Sequence, residues 1–287
     1  MKVNNHKLKD SGYPNILRNI PSAPKELFWL GAPAKDWLDK PRVAIVGSRK
    51  VTVYGREVTD KLASELARAG VVIISGLALG IDSIAHQAAL KAGGTTIAVM
   101  PGGLHQIYPT SHRNLARQIL AQGGALISEY PMGMPALKQN FIARNRIVSG
   151  LADVLLIPEA AAGSGSLHTV RFALDQGKTV MAVPGNITSP GSEGTNNLIK
   201  TGATPVTSVN DVFYALNLNP ELQREFRNFR GSADEEKVLE LIRSGVADQN
   251  SLAAQAELDG PTINSVLTIL EIGGYIKPTG AGYWQPL

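Results

Sequence analysis

Six short segments rich in valine, isoleucine, alanine and leucine constrain the fold of this chain most, because helix-length stretches separate them. They are Arg42 to Val46, Val71 to Ser75, Thr95 to Met100, Ala125 to Ser128, Asp153 to Ile157 and Thr179 to Val183. Strands that alternate with helices form βαβ units, and strands that are apolar on both faces are covered by helices on both sides. The sequence therefore predicts an α/β fold with a Rossmann-like, doubly wound, mostly parallel sheet.

Glycine, small residues or turn residues follow nearly all of these segments. The loops concerned are Gly47 to Arg49, Gly76 to Gly80, Pro101 to Gly103, Glu159 to Ser166 and Pro184 to Gly185. In open α/β sheets the ligand crevice lies at the carboxyl ends of the strands, where loop amides and helix N-termini meet. We expect a binding site to be assembled from these loops.

The beginning of the chain departs from the strand–helix rhythm. Residues 1–40 hold several prolines around an apolar stretch, and we interpret them as an extended arm laid on the domain, with its first ten residues disordered. Residues 41–216 then form the Rossmann-like domain. The polar, arginine-rich residues 217–231 are interpreted as a linker.

Residues 232–287 are predicted to form a small winged-helix-like domain. Ser232 to Glu235 has the sequence of a capping box that opens a first helix, and a second helix fits Gln249 to Ala256. A third helix runs from Pro261 to Glu271, and Gly273 to Trp284 fits a hairpin. Three helices followed by a hairpin are typical of a winged helix.

Composition excludes several classes of site. The chain contains no cysteine, which rules out disulfides, thiolate chemistry and cysteine-based zinc sites. Its histidines are scattered without the spacing of a metal site, so no metal is expected. Because no signal peptide and no apolar run of roughly 20 residues is evident, we expect a cytoplasmic protein with no membrane partner.

The net charge of +4 is distributed unevenly along the chain. Residues 1–231 carry 25 Lys and Arg against 16 Asp and Glu, whereas residues 232–287 carry 3 against 8. The basic character therefore belongs to the first part of the chain. An ordinary solvated surface can also be charged unevenly, so the motifs must decide what the basic part binds.

Residues 138–146 combine cations with an aromatic side chain. Lys138, Arg144 and Arg146 have no acidic residue between them, and Phe141 and Asn145 lie in their midst. An aromatic ring stacks on unpaired bases, and nearby cations hold the flanking phosphates, so this segment favours single-stranded nucleic acid. The alternative is that Phe141 is an ordinary core contact of a helix.

Two loops offer groups that bind anions. They consist of Gly47, Ser48 and Arg49, and of Ser164, Gly165 and Ser166. The first places a guanidinium and backbone N–H groups at a strand-to-helix turn, and the second places N–H groups and hydroxyls before a helix. The alternatives are a structural ion pair of the arginine and a plain N-cap turn.

Two common enzyme motifs are disfavoured. After the first strand glycine recurs only at Gly55, and no acidic residue ends the second strand at Ser75, so NAD or FAD binding is not expected. Asp82 suits a helix cap one turn before His86, which argues against a catalytic triad with Ser75. We expect no cofactor and no catalytic residues.

Taken together, the motifs resemble those of the DNA-processing protein A family, also called DprA or Smf. The matching segments are Val46 to Arg49, Ser75 to Ala78, Gly80 to Asp82 with His86, Pro101 to Gly103, Tyr108-Pro109, Ser128 to Pro131, Phe141 to Ile147, Glu159, Ser164 to Leu167, Val183 to Gly185, Gly194, Asn196, Leu198-Ile199 and Gly202-Ala203. The matches are in order and jointly specific.

This resemblance implies a core that binds single-stranded DNA without sequence preference, protects it and helps load the RecA recombinase during natural transformation. It also implies a homodimer. The DNA-contacting positions of the family carry over as Arg49, Lys138, Phe141 and Arg144, with Gly47, Ser48, Asn145, Arg146, Ser164, Gly165 and Ser166 as neighbours. The N-terminal helical domain frequent in the family is expected to be missing or reduced to residues 1–40.

The C-terminal segment departs from a DNA-binding winged helix. Its candidate recognition helix, Pro261 to Glu271, contains no Lys or Arg. Because phosphates repel the acidic surface, we expect this domain to add little DNA affinity and to serve protein contacts.

An enzyme on a related fold is the alternative function. Nucleotide phosphoribohydrolases have a similar Pro-Gly-Gly turn, but their catalytic glutamate lies in P-G-G-x-G-T-x-x-E. Here Pro101 to Gly103 continues as Leu104-His105-Gln106, and the threonine and glutamate are absent.

Overall fold

The computed structural model describes residues 3–218, 231–280 and 282–286. The chain divides into two compact units, Met1–Gln223 and Arg224–Leu287. The predicted linker, residues 217–231, lies mostly outside the described residues. Each unit is therefore described by itself.

A nine-stranded sheet forms the centre of the N-terminal unit. Its strands are β1 Asn4–Lys7, β2 Glu26–Gly31, β3 Arg42–Ile45, β4 Val72–Ser75, β5 Thr96–Val99, β6 Ala125–Ser128, β7 Val154–Ile157, β8 Thr179–Ala182 and β9 Thr204–Pro205. Their order is β1-β2-β6-β5-β4-β3-β7-β8-β9, and the seven strands from β6 to β9 pair in parallel. The six predicted strands and the Rossmann-like sheet are confirmed.

Helices cover both faces of this sheet. They are α1 Asn15–Arg18, α2 Val53–Arg68, α3 Ile81–Lys91, α4 Arg113–Ala121, α5 Lys138–Leu151, α6 Leu167–Asp175, α7 Glu193–Lys200 and α8 Val209–Ala215. Val43 and Ile45 of β3 pack with α2 and α3, whereas Ala44 packs with α5 and α6. Successive side chains of a strand point to opposite faces, so a strand that is apolar throughout needs cover on both.

The interpretation of residues 1–40 as an extended arm is wrong. β2 pairs antiparallel with β6 from Phe28↔Ser128 to Gly31↔Ala125, and β1 pairs with β2. The expected disorder of the first ten residues is also wrong for Asn4–Lys7. An unpaired β6 would leave an open row of backbone groups, and the apolar stretch before Gly31 closes that edge. The prolines flank the strand rather than interrupt it.

The C-terminal unit consists of three helices and a two-stranded sheet. They are α9 Ala233–Arg243, α10 Gln249–Ala256, α11 Gly260–Ile272, β10 Ile276–Gly280 and β11 Tyr283–Pro286. The predicted capping box is present, because Ser232 Oγ accepts from Glu235 N and Glu235 Oε2 accepts from Ser232 N. The unit has its own apolar core, which includes Val238, Leu252 and Leu267. The predicted order of elements is confirmed, and its assignment as a winged helix stays a prediction.

No helix in the described parts of the chain is long and apolar enough to span a lipid bilayer.

Candidate nucleic-acid interface

The order of the strands places a crevice between β3 and β7. From β3 the chain runs outward through β4, β5 and β6, and it then returns to the other side of β3 to form β7, β8 and β9. The connections that leave β3 and β7 therefore diverge, which opens a crevice at the carboxyl ends of these two strands. The loops that enter it are residues 46–52 and 158–166.

The two loops are in direct contact at Gly47. Ser48 N donates to Glu159 O at 2.8 Å, and a Cβ at position 47 would lie 2.5 Å from that same oxygen. It would also lie 2.7 Å from Ile81 Cγ1. Only glycine fits this close approach, so Gly47 has a packing role. Whether it also contacts a ligand stays a prediction.

Arg49 extends from this turn into solvent. Its side chain is exposed and makes no hydrogen bond or ion pair within the described residues. The backbone beneath it is fixed, because Ile81 N donates to Ser48 O at 3.1 Å and Gly80, at a φ of 84°, leaves no room for a Cβ beside that oxygen. The structural ion pair that was the alternative for Arg49 is therefore absent among the described residues.

The hydroxyl of Ser48 shapes the turn. Ser48 Oγ donates to Lys50 O at 2.7 Å and accepts from Lys50 N at 3.1 Å. These bonds hold the segment that carries two adjacent exposed cations, Arg49 and Lys50.

Glu159 and Thr52, which sequence reasoning assigned no role at this site, hold the far end of the same segment. Glu159 is 2% exposed, and its carboxylate accepts from Thr52 N at 3.1 Å and from the Thr52 hydroxyl. Thr52 in turn caps α2 by accepting from Gly55 N at 3.0 Å. Because its main-chain oxygen binds Ser48, Glu159 anchors both ends of residues 48–52. The position of Glu159 directly after β7, at the crevice, is the sequence feature that could have identified this role.

The first turn of α5 carries the aromatic and cationic groups that the sequence singled out. Lys138 is exposed and makes no hydrogen bond or ion pair with the described residues. Phe141 is half-buried, with its ring centroid 5.0 Å from that of Tyr108 and the two planes at 74°. Tyr108, whose ring contacts Phe141, was recognised in the sequence only as part of a family motif and was given no role of its own. Because Phe141 is not fully buried, it is not an ordinary core residue, and its contact with bases stays a prediction.

Arg144 is buried at the ends of two strands, and its direct contact with DNA stays a prediction. It is 4% exposed, and its guanidinium donates to the carbonyl oxygens of Gly76 and Val99 at the ends of β4 and β5. Burial lowers the pKa of Arg144 to about 10, while the neighbouring Asp82 counteracts this shift. On α5 Arg144 shares the buried face with Asn140, Ile147 and Leu151, which explains why it points inward.

Arg146 is compensated by an acidic residue from another element. Its two terminal nitrogens pair with the two carboxylate oxygens of Glu129 at 2.6 Å each, and Nε donates to Ser22 O at 2.9 Å. Residues 138–146 contain no acidic residue, so the sequence alone did not reveal that Glu129 pairs with Arg146. The neighbouring Asn145 is half-buried and accepts from Arg144 Nε at 3.3 Å. Of the three predicted cations, Lys138 alone makes no hydrogen bond or ion pair with the residues that the structure describes.

The loop after β7 is a turn in which the amide of Gly165 is open. Ser164 Oγ lies 2.8 Å from Ser166 Oγ, and Ser166 is buried at the start of α6 without capping it through its side chain. Gly165 is exposed, and its N–H makes no hydrogen bond with the described residues. A plain N-cap turn therefore does not describe this loop, and an anion at Gly165 remains a prediction.

The buried polar residues beside the crevice do not form a triad. Ser75 Oγ donates to Ile45 O at 2.6 Å, and the Asp82 carboxylate accepts from Gly76 N and Ala78 N. His86 lies 2.6 Å from the Thr96 hydroxyl, and burial lowers the pKa of His86 to about 3, so its ring is neutral. Within the described ranges no cluster of His, Asp and Glu is arranged to hold a metal ion.

The sequence was compared with known families and proteins. Residues 5–217 match the family model described as DNA recombination-mediator protein A. The chain is 41% identical to Protein Smf of Escherichia coli over 253 residues, 84% of this chain and 67% of that protein.

The chain therefore belongs to the DNA recombination-mediator protein A family.

Other members agree with this assignment. The DNA processing protein DprA of Bacillus subtilis is 40% identical over 75% of this chain and 71% of its own length. Protein Smf of Synechocystis is 39% identical, and the match spans 75% of this chain but only 54% of that protein. The chain thus covers roughly half to two thirds of the length of these relatives.

Solved structures of the family share the fold. The crystal structure of DprA from Streptococcus pneumoniae aligns with a TM-score of 0.69 and 41% identity, covering 74% of each chain. DprA from Helicobacter pylori, described for its single-stranded DNA binding mode, aligns with a TM-score of 0.67 and 35% identity over 75% of this chain and 96% of that chain.

Proposed function

We propose that this chain binds single-stranded DNA without sequence preference along the carboxyl edge of the sheet. The observation that carries the proposal is the pair of exposed, unpaired cations, Arg49 and Lys138, which stand at the crevice loop and at the start of α5. The partly open ring of Phe141 lies one turn from Lys138. Cations hold phosphates and rings stack on bases, and neither group reads the identity of a base.

Several further contacts support one continuous surface. Arg144 joins α5 to the ends of β4 and β5, and Gly80 packs on the turn that holds Arg49. A Cβ at Gly76 would lie 2.5 Å from the Arg144 guanidinium and one at Gly80 would lie 2.8 Å from Arg49 Cα, so the loop from Gly76 to Gly80 contacts both arginines. Arg144 and Arg146 then have the role of shaping this surface rather than touching the strand.

The test is a fluorescence titration of an oligo-dT strand at increasing salt. Arg49→Ala and Lys138→Ala should each weaken binding about tenfold or more, because a charge-assisted hydrogen bond contributes roughly 1.5–3 kcal/mol. Each should also reduce the magnitude of the slope of log K against log salt by about 0.7. Phe141→Ala should weaken binding with little change in slope.

The matched control is Arg68→Ala. Arg68 is also an exposed arginine, but it ends α2 and so lies at the opposite edge of the sheet. Its substitution should leave the affinity within about twofold, apart from a small effect of net charge. Equal losses in Arg49→Ala and Arg68→Ala would contradict a local site, and tighter binding of duplex than of single strands would contradict the stacking.

We further propose that the protein protects such strands, helps load the RecA recombinase onto them during natural transformation, and acts as a homodimer. The resemblance of its motifs to those of the family supports this role. The sheet ends at the exposed β9, and Leu174 on α6 is 62% exposed, which leaves surface for a second copy. The expected results are faster RecA filament formation on coated single strands and a dimer in sedimentation equilibrium. A monomer without effect on RecA would contradict both.

The Pro-Gly-Gly turn does not support the alternative function, a nucleotide phosphoribohydrolase activity. Gly103 N donates to Met134 O at 2.9 Å, and a Cβ at Gly102 would lie 2.9 Å from Ala136 N. These glycines are therefore required by packing against residues 131–136. Release of adenine from AMP would overturn this view.

A further inference from the structure

Tyr108 is the most exposed ring beside the proposed DNA surface. It is 49% exposed, whereas its neighbour Phe141 is half-buried. Their ring centroids are 5.0 Å apart, so Tyr108 covers part of the surface of the Phe141 ring. The Tyr108 hydroxyl makes no hydrogen bond with the described residues. More stacking area is therefore open on Tyr108 than on the residue that the family motif singles out.

Other apolar side chains, in the segment that leads into α5 and on α5 itself, are exposed as well. They are Met132 at 51%, Met134 at 38%, Leu137 at 42% and Ile142 at 45%. The bond from Gly103 N to Met134 O ties the loop that carries Tyr108 to the segment that leads into α5. Exposed apolar groups concentrated in this way indicate a surface that another molecule covers.

We infer that Tyr108 is a second base-binding residue, which together with Phe141 forms an aromatic corner for one nucleotide. The inference rests on the proposed function. Because the planes stand at 74°, a base that lies flat on one ring turns its edge toward the other. The neighbouring cation, Lys138, is then placed to hold the phosphate next to that base. The hydroxyl of Tyr108 adds a polar group at the rim of an otherwise apolar corner.

The charges nearby favour a nucleic acid over an apolar protein segment as the occupant. Lys138 is exposed on α5 one turn before Phe141, Arg49 and Lys50 are exposed on the crevice loop, and Glu129 is already paired with Arg146. A surface that combines rings with unpaired cations fits a polyanion with flat bases.

The experiment has a direct arm and a substitution arm. In the direct arm, oligo-dT carrying 5-bromodeoxyuridine is irradiated in complex with the unmodified protein, and the cross-linked peptides are identified by mass spectrometry. Cross-links are expected at Tyr108 as well as at Phe141. Because no residue is changed, this arm does not depend on how a variant folds.

In the substitution arm the affinity for oligo-dT is compared at one salt concentration. Tyr108→Ala should bind about 5- to 100-fold more weakly, since stacking on an aromatic ring is worth roughly 1–3 kcal/mol per base. Tyr108→Phe keeps the ring and should stay within about threefold of the parent. Tyr214→Ala, which removes a 68% exposed tyrosine from α8, is the matched control and should change nothing. The double variant Tyr108→Ala/Phe141→Ala should lose less than the product of the single losses, because one base contacts both rings.

The outcomes separate this inference from the proposed function. If Tyr108→Ala binds within twofold of the parent and no cross-link maps to Tyr108, the inference is wrong, and losses in Arg49→Ala and Lys138→Ala still leave the function standing. If the parent itself does not bind single strands, both are wrong. Unchanged DNA binding together with loss of binding to RecA in Tyr108→Ala would assign the ring to a protein contact and also overturn the inference.

Discussion

Arg144 and Lys138 belong to the same helix, but only Lys138 is open to water. Arg144 lies on the buried stripe of α5 and binds two carbonyl oxygens at strand ends, next to the buried carboxylate of Asp82. Burial raises the pKa of Asp82, and Arg144 is the first of the groups that oppose this shift. A basic residue in a binding motif can thus support the site from inside.

Arg144→Met should destabilise the protein by about 2–5 kcal/mol, because the buried carbonyl oxygens of Gly76 and Val99 lose their charged donor and the buried Asp82 carboxyl loses a positive charge that lowers its pKa. A carboxyl whose pKa is raised on folding contributes stability at low pH, and this contribution is lost as the pH rises through the folded pKa. Removing Arg144 raises the pKa of Asp82 further. The loss relative to the parent should therefore be larger at pH 8 than at pH 5, as measured by urea unfolding.

The control for this prediction is Lys138→Met, which removes an exposed cation from the same helix. Its stability should change by no more than about 0.5 kcal/mol at either pH, while its DNA affinity falls. If Arg144→Met were as stable as Lys138→Met and merely weaker in DNA binding, the structural role of Arg144 would be refuted.

At the scale of secondary-structure elements, β2 makes the beginning of the chain a part of the sheet. It covers the edge of β6 and brings Leu27, which is 1% exposed, into the core together with Tyr13, Leu17 and Trp37. Residues 3–40 are thus part of the sheet domain. An edge strand that carries buried side chains stabilises the whole sheet, whereas a loosely laid arm does not.

Leu27→Ala should accordingly cost about 2–5 kcal/mol in the free energy of unfolding, the usual range for a leucine that is truncated in a packed core. Lys25→Ala, two residues earlier and exposed, serves as the control and should stay within about 0.5 kcal/mol. Thermal unfolding of the three proteins provides the measurement. If Leu27→Ala melted at the same temperature as the parent, the interpretation of residues 1–40 as an extended arm would be supported instead.

For the whole molecule, charge and core both separate the two units. Residues 1–223 hold 22 basic against 15 acidic residues, and residues 224–287 hold 6 against 9. Each unit also has an apolar core of its own. A unit with its own core is able to fold independently, and an acidic surface repels phosphates.

Deletion of residues 232–287 should therefore reduce the affinity for single strands by less than tenfold. The salt slope should stay unchanged, because the deleted unit neutralises no phosphates. The measurement is the same oligo-dT titration, with circular dichroism as a check that the shortened chain is folded. A loss of tenfold or more would show that the acidic unit takes part in binding.

The sequence by itself determined the sheet and the positions of the loops at the carboxyl ends of its strands, because periodicity and turn residues are local properties. The six strands after residue 41, the capping box at Ser232 and the loops at Gly47 and Ser164 were all predicted from neighbouring residues. Arg49 was also expected at a strand-to-helix turn, and the structure has it between β3 and α2.

The tertiary structure alone decided which of these groups water can reach. Glu129 neutralises Arg146 from a position 17 residues earlier in the chain, Gly76 and Val99 accept hydrogen bonds from Arg144, and Tyr108 contacts Phe141 of α5 from a loop. The pairing of β2 with β6 likewise joins segments about 100 residues apart. Such contacts depend on distance in space, whereas motifs record only distance along the chain. The exposed Lys138 and the buried Arg144 therefore cannot be distinguished from the sequence of their segment alone.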